Sequence, residues 1–169
     1  RVKELLPAVR LCVMTRPETA DVFRACAAVD EVLLDDKKGA GRIINISGAS
    51  ASLVWNPALT HGINNSAMNH ATGYLAADLA ADNITVNAVV PGLVGTEARE
   101  VWAENMGKQQ NKTKAEFLAE YCKKMGILSG RWAAMEEVAD TVVFLASDRA
   151  RYYTGAKIAI DGGISLNAR

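Results

Sequence analysis

Gly41-Arg42-Ile43-Ile44-Asn45-Ile46-Ser47 and Asn83-Ile84-Thr85-Val86-Asn87-Ala88-Val89-Val90-Pro91-Gly92 are the two stretches on which the reading of the fold turns. Each is a short run rich in β-branched residues bounded by turn formers, the mark of a buried strand. Between them, Thr60 to Ala81 is rich in Ala, Met and Leu and reads as one long helix ended by Asp82-Asn83. A strand, a crossover helix and a second strand make a parallel pair, because so long a connection returns the chain to its starting edge. Working outward, Lys37 to Gly41 is a turn, and Val101 to Met125 is a charged amphipathic helical region. Its apolar side carries Trp102, Phe117, Leu118, Tyr121 and Met125. Glu136 to Ser147 is a helix with Val138, Val142, Val143 and Leu145 facing inward, and Ala156 to Ile160 is a last strand closed by Asp161-Gly162-Gly163. Upstream, Val2, Leu5, Leu6 and Val9 suit the end of an amphipathic helix, and Arg10 to Thr15 is a strand stopped by Arg16-Pro17. Val22, Phe23, Cys26 and Ala27 then share one helix face, while residues 29–34 read equally as a strand or as the end of that helix.

The chain has 169 residues, half of them hydrophobic and 22% charged, with 19 basic and 19 acidic side chains. This suits a single α/β domain over residues 1–169 and excludes disorder, a collagen-like repeat and a nucleic-acid binder driven by bulk charge. No apolar run approaches the roughly 20 residues of a membrane helix, so no membrane partner is expected. Cys12, Cys26 and Cys122 are too few and too scattered for a disulfide framework or a metal site. The glycosylation-type triplets at Asn64, Asn83 and Asn111 read as chance, the start at Arg1 reads as trimming, and the expected location is the cytoplasm.

From about residue 39 to the end, the landmarks Gly41 to Ser47, Asn83 to Gly92, and Thr154-Gly155 running to Asp161-Gly162-Gly163 follow one another in an order that resembles the short-chain dehydrogenase/reductase family. The resemblance implies a three-layer α/β/α, Rossmann-like fold with a mostly parallel sheet of about five strands, and a substrate lid at about residues 95–130. It also implies a Ser that polarises a carbonyl, a Tyr that transfers the proton, and a Lys four residues later that lowers the Tyr pKa and holds the ribose. Residues i and i+4 share a helix face, so that Tyr and Lys point to one cofactor.

Aligned on the flanking motifs, Gly48 stands at the Ser position, His61 at the Tyr position and Asn65 at the Lys position. All three are therefore replaced. His61 is the one catalytic candidate, a ring able to move a proton near neutral pH, although a solvated helix-start histidine is its plainer reading. Ser47 and Ser50 are nearby hydroxyls that stand off the family's register. Pro91, Gly92 and Thr96 resemble the stretch that meets the nicotinamide end of a cofactor, Pro91-Gly92 reading equally as a strand terminator. No metal site is expected, and His70 reads as structural.

The glycine-rich phosphate turn of a complete family member is missing from the sequence. Residues 1–38 instead resemble a strand–helix–strand segment of the Rossmann-like domain in ADP-heptose-type glycosyltransferases. The rival reading makes Leu5 to Arg24 a diverged helix of the dehydrogenase family. The expectation is thus a non-catalytic scaffold, a pseudoenzyme designed or recombined as a chimera joined near Lys37 to Gly41, with no cofactor. The alternatives are an NAD(P)-dependent oxidoreductase of the short-chain type and a cofactor-free lyase or cyclase using His61. A homodimer through Met68, Leu75 and Leu79 is expected, the small-molecule ligand is unknown and no nucleic-acid partner is expected.

Overall fold

The computed structural model describes residues 41–54 and 58–167. The strand and helix readings for residues 1–40 fall outside that range. Strand β1 (Arg42–Ile46) leads through a 3-10 turn at Ala49–Ala51 to helix α1 (Leu59–Leu79), then to strand β2 (Thr85–Pro91). Helices α2 (Glu97–Gln109), α3 (Lys114–Met125) and α4 (Met135–Ala146) follow, and strand β3 (Lys157–Ile160) completes the sheet. The described strands lie in the order β1-β2-β3 and both pairings are parallel, with Ile43 opposite Val86 and Val89 opposite Ile158.

β2 is central and buried along nearly its whole length, which explains why Ala88, Val89 and Val90 follow one another with no polar residue between them. Ile44, Ile46 and Val89 pack with Val138, Val142 and Leu145 of α4 into one core, so the inward positions expected for α4 are borne out, Val143 being half-buried beside them. Thr72 and Ala76 are the buried residues of α1. Asn45 Nδ2 donates to Thr72 Oγ1 at 2.9 Å, which lets a polar residue sit in the middle of β1. Asn83 ends the α1 region in the left-handed conformation at φ 58°, a position asparagine tolerates.

The region expected as one amphipathic helix from Val101 to Met125 is two. Asn111 takes φ 54°, and Thr113 restarts the chain as a capping box, its Oγ1 accepting from Glu116 N while Glu116 accepts from Thr113 N. The chain folds back there because Trp102 packs edge-to-face on Phe117 and Tyr121, with centroids 5.5 and 5.3 Å apart. Trp132 stacks on Trp102 at 6.2 Å, so the apolar stripe is spent on its own cluster with Cys122 and Ile127. Burial pushes the Cys122 thiol pKa up, which makes it an inert packing group. Both ends of the α2–α3 segment are held where Gly95 N donates to Ala133 O and Ala133 N donates to Leu93 O, each at 2.9 Å.

Candidate functional site

In parallel sheets of this kind ligands bind beyond the C-terminal ends of the strands, and here those ends are formed by Ser47–Gly48 after β1 and Pro91–Gly92 at the end of β2. Ser47 N donates to Val89 O at 2.9 Å, carrying the ladder one residue past β1. Gly48 is extended at φ −170°, a conformation open to any residue. The constraint at Gly48 is space: a Cβ there would lie 2.8 Å from Asn65 Nδ2 and 3.8 Å from Pro91 O. The structure therefore brings together Gly48 and Asn65, two of the three positions that the sequence reading aligned.

Asn65 is the hub of this edge. Its Nδ2 donates to Ser50 Oγ at 2.8 Å, and its main-chain oxygen accepts from Ser47 Oγ at 3.1 Å. At the next residue, Ser66 Oγ donates to Ala51 O at 2.9 Å. The second turn of α1 is thus stitched to the loop after β1. The Asn65 amide bonds a neutral hydroxyl and brings no charge into this half-buried corner. Ser50 is a residue that the sequence reading set aside as off register. The signal that could have found it is the pairing of Ser50 with Asn65, which requires knowing how α1 docks.

His61 is half-buried in the first turn of α1, beside Gly62, whose Cβ position lies 3.1 Å from Ser50 O. His70 lies on the exposed side of the same helix and meets Tyr74 edge-to-face at 5.1 Å, as its structural reading expects. No group of three His, Cys, Asp or Glu side chains able to hold a metal occurs among the described residues.

The Pro91–Thr96 stretch is explained mostly by structure. A Cβ on Gly92 would lie 2.8 Å from the Cα of Asp161, and Gly92 N donates to Ile160 O at 3.0 Å, so glycine is needed where β2 passes the end of β3. Thr96 caps α2 by accepting weakly from Arg99 N at 3.4 Å. Burial pushes the Asp161 carboxyl up, but hydrogen bonds from Ser165 and Gly163 outweigh it and hold its pKa below the ordinary value. It fastens the turn after β3.

Towards the nicotinamide nucleotide that the resemblance implies, the residues fit in part. Ser50 Oγ and Asn65 Nδ2, paired at 2.8 Å, are neutral groups able to donate to hydroxyl or carbonyl oxygens. They do not supply the phenol and ammonium of the usual relay.

The wider likeness agrees with this layout. A family model described as Enoyl-(Acyl carrier protein) reductase matches residues 18–165, which includes part of the stretch likened above to a glycosyltransferase. The chain is 37% identical over 123 residues to the NADPH-dependent reductase BacG of Bacillus subtilis, covering 73% of this chain and 47% of that protein. It is 36% identical over 138 residues to the 3-oxoacyl-[acyl-carrier-protein] reductase FabG of Haemophilus influenzae, covering 78% of this chain and 49% of that one. Its structure resembles L-sorbose reductase from Gluconobacter frateurii, solved with NADPH and L-sorbose, at TM-score 0.66 and 29% identity over 75% of this chain and 48% of that one. The chain spans about half the length of the curated relatives it matches. With a family match across most of its length and a parallel α/β architecture shared with the solved reductases, the chain belongs to the short-chain dehydrogenase/reductase family.

Proposed function

We propose that this chain is the substrate-side part of an NAD(P)-linked oxidoreductase acting on a carbonyl or alcohol, with its usual Ser–Tyr–Lys relay replaced. Membership of the family favours this reading over the inert scaffold expected from the missing side chains, and it favours a bound nicotinamide nucleotide over none. The observation that carries it is that a Cβ on Gly48 would lie 2.8 Å from Asn65 Nδ2, a closeness that supports aligning these two positions with the family's Ser and Lys. When bound, the nucleotide supplies hydride chemistry. The chain's own residues supply neutral donors from Ser50 and Asn65, and His61 holds the proton that tyrosine would otherwise transfer.

The family match crosses the junction once placed near residues 37–41, which favours a diverged dehydrogenase segment over a chimera for residues 18–38. A homodimer through α1 belongs to the same proposal. Leu59, Ile63, Tyr74 and Leu75 are the exposed large apolar residues of that helix, whereas Met68 and Leu79 are half-buried against the fold. Sedimentation at micromolar concentration giving only the monomer mass would count against it.

Thermal unfolding followed by tryptophan fluorescence, with and without millimolar NAD(H), NADP(H) or an ADP-sugar, tests the main reading. A nucleotide at a hundred times its dissociation constant adds about 2.7 kcal/mol, so a dinucleotide should raise the midpoint visibly and the ADP-sugar should not. An unmoved midpoint returns the scaffold. His61→Ala is expected to lower turnover of any reduced substrate by about 100-fold or more, and unchanged turnover removes His61 from the chemistry.

A further inference from the structure

The loop after β1 carries Ser47 before Gly48 and Ser50 after it, and the structure treats these two differently. Ser47 Oγ donates its proton to the main-chain oxygen of Asn65 at 3.1 Å, so that hydroxyl is committed as a donor. Ser50 Oγ accepts from Asn65 Nδ2 at 2.8 Å, and among the described residues no acceptor is given for its own proton. A hydroxyl that accepts from an amide becomes a better donor, because each bond polarises the next. Ser50 is half-buried and lies in the 3-10 turn at the C-terminal end of β1, where this sheet type takes its ligands.

From this we infer that Ser50, oriented by Asn65, is the hydroxyl that donates to the carbonyl oxygen of a bound neutral ketone, doing from two residues downstream what Gly48 cannot. The ligand class follows from the donors. Ser50 O–H and the second proton of Asn65 Nδ2 both seek an acceptor, and neither carries charge, so a ketone oxygen suits them better than a carboxylate or phosphate. Asn65 is then a positioning residue. Its Nδ2 takes up one lone pair of Ser50 Oγ and so turns the Ser50 proton away from the amide, and the space above Gly48 that a Ser hydroxyl would fill is already occupied by the amide. The inference rests on the carbonyl-reductase reading above but does not need hydride transfer to be observed.

The test uses the carbonyl 13C resonance of [1-13C]cyclohexanone and [2-13C]acetone, titrated with the whole protein in the presence of NADP+. A hydrogen bond to the oxygen moves this resonance downfield. The expected result is a downfield, saturable shift that Ser50→Ala abolishes, Ser50→Thr retains and Asn65→Ala weakens, each variant keeping the wild-type circular dichroism spectrum. A shift that survives Ser50→Ala, or no shift with either ketone in the wild type, overturns the assignment. NADPH oxidation measured on the same samples reports separately on the oxidoreductase reading. Ser50-dependent binding without oxidation would sink that reading and leave the carbonyl contact standing, whereas oxidation unaffected by Ser50→Ala would do the reverse.

Discussion

The two ends of the central strand β2 solve opposite problems. Towards its start, the Asn87 side chain is closed on its neighbours, while the buried Thr85 Oγ1 finds no partner among the described residues. Asn87 Nδ2 donates to Tyr153 O at 2.8 Å, and Asn87 Oδ1 accepts from Ala156 N at 3.0 Å. Val86 N donates to Thr154 Oγ1, and Gly155 N to Val86 O. A buried asparagine there costs nothing in unmet hydrogen bonds, and it locks the approach to β3. Beyond the other end of β2, Ser50 and Asn65 keep spare donors at a half-exposed edge. The difference teaches which polar residues hold the fold and which are available to a ligand.

The strongest way to break that contrast is at the closed end. Asn87→Leu removes both side-chain bonds and leaves a main-chain donor and acceptor without partners, so it should destabilise the domain by about 3 kcal/mol. Urea unfolding measures it, and a loss below about 1 kcal/mol would mean that water or a backbone shift replaces the asparagine readily. At the open end the effects should be smaller and coupled. Gly48→Ser forces Asn65 Nδ2 away from Ser50 and should cost about 1 kcal/mol in the native background, but close to nothing once Asn65→Ala has removed the obstacle. Additive costs in that double-mutant cycle would show that the two positions do not share space.

The smallest expected effect lies away from both ends, where Arg131 forms a double bridge to Glu137 at 2.7 Å for each contact. The Arg131 guanidinium, aided by Ala134 N–H, holds the Glu137 carboxyl down to about 2 from an ordinary 4.5. A carboxyl depressed in the folded state contributes stability above its unfolded pKa, and that contribution fades as pH falls from about 4.5 towards about 2. Glu137→Gln should therefore lower the unfolding midpoint slightly at neutral pH, a deficit that shrinks as pH falls from about 4.5 towards about 2 and so flattens the acid fall. The bridge is exposed, so solvent screening keeps the effect slight. Identical acid profiles for the two proteins would show that the pair contributes nothing.

Much of the architecture was legible along the chain. The β-branched runs of β1 and β2 and the helical period of α4 are local patterns, and each appears in the structure close to its expected bounds. The break between α2 and α3 was missed because the apolar positions continue at helical spacing through it. The Thr113-x-x-Glu116 capping box was the readable stop sign, and an aromatic cluster that folds Trp102 onto Phe117 and Tyr121 outweighs an uninterrupted helix. At the site, the alignment of Gly48 with Asn65 was legible from motif spacing, while the use of Ser50 was not.

By itself, the sequence determined the order of elements and the parallel pairing of β1 with β2, because these depend on periodicity and connection length along the chain. Only the tertiary structure decided that Asn65 reaches Ser50 instead of pointing into an empty corner, that Ser47 spends its proton on the helix, and that Gly92 must be glycine to pass Asp161. Those outcomes depend on how α1 docks on the sheet and on which of several partners each hydrogen-bonding group finds once it is partly shielded from water, where a bond of about 1 kcal/mol net selects one arrangement.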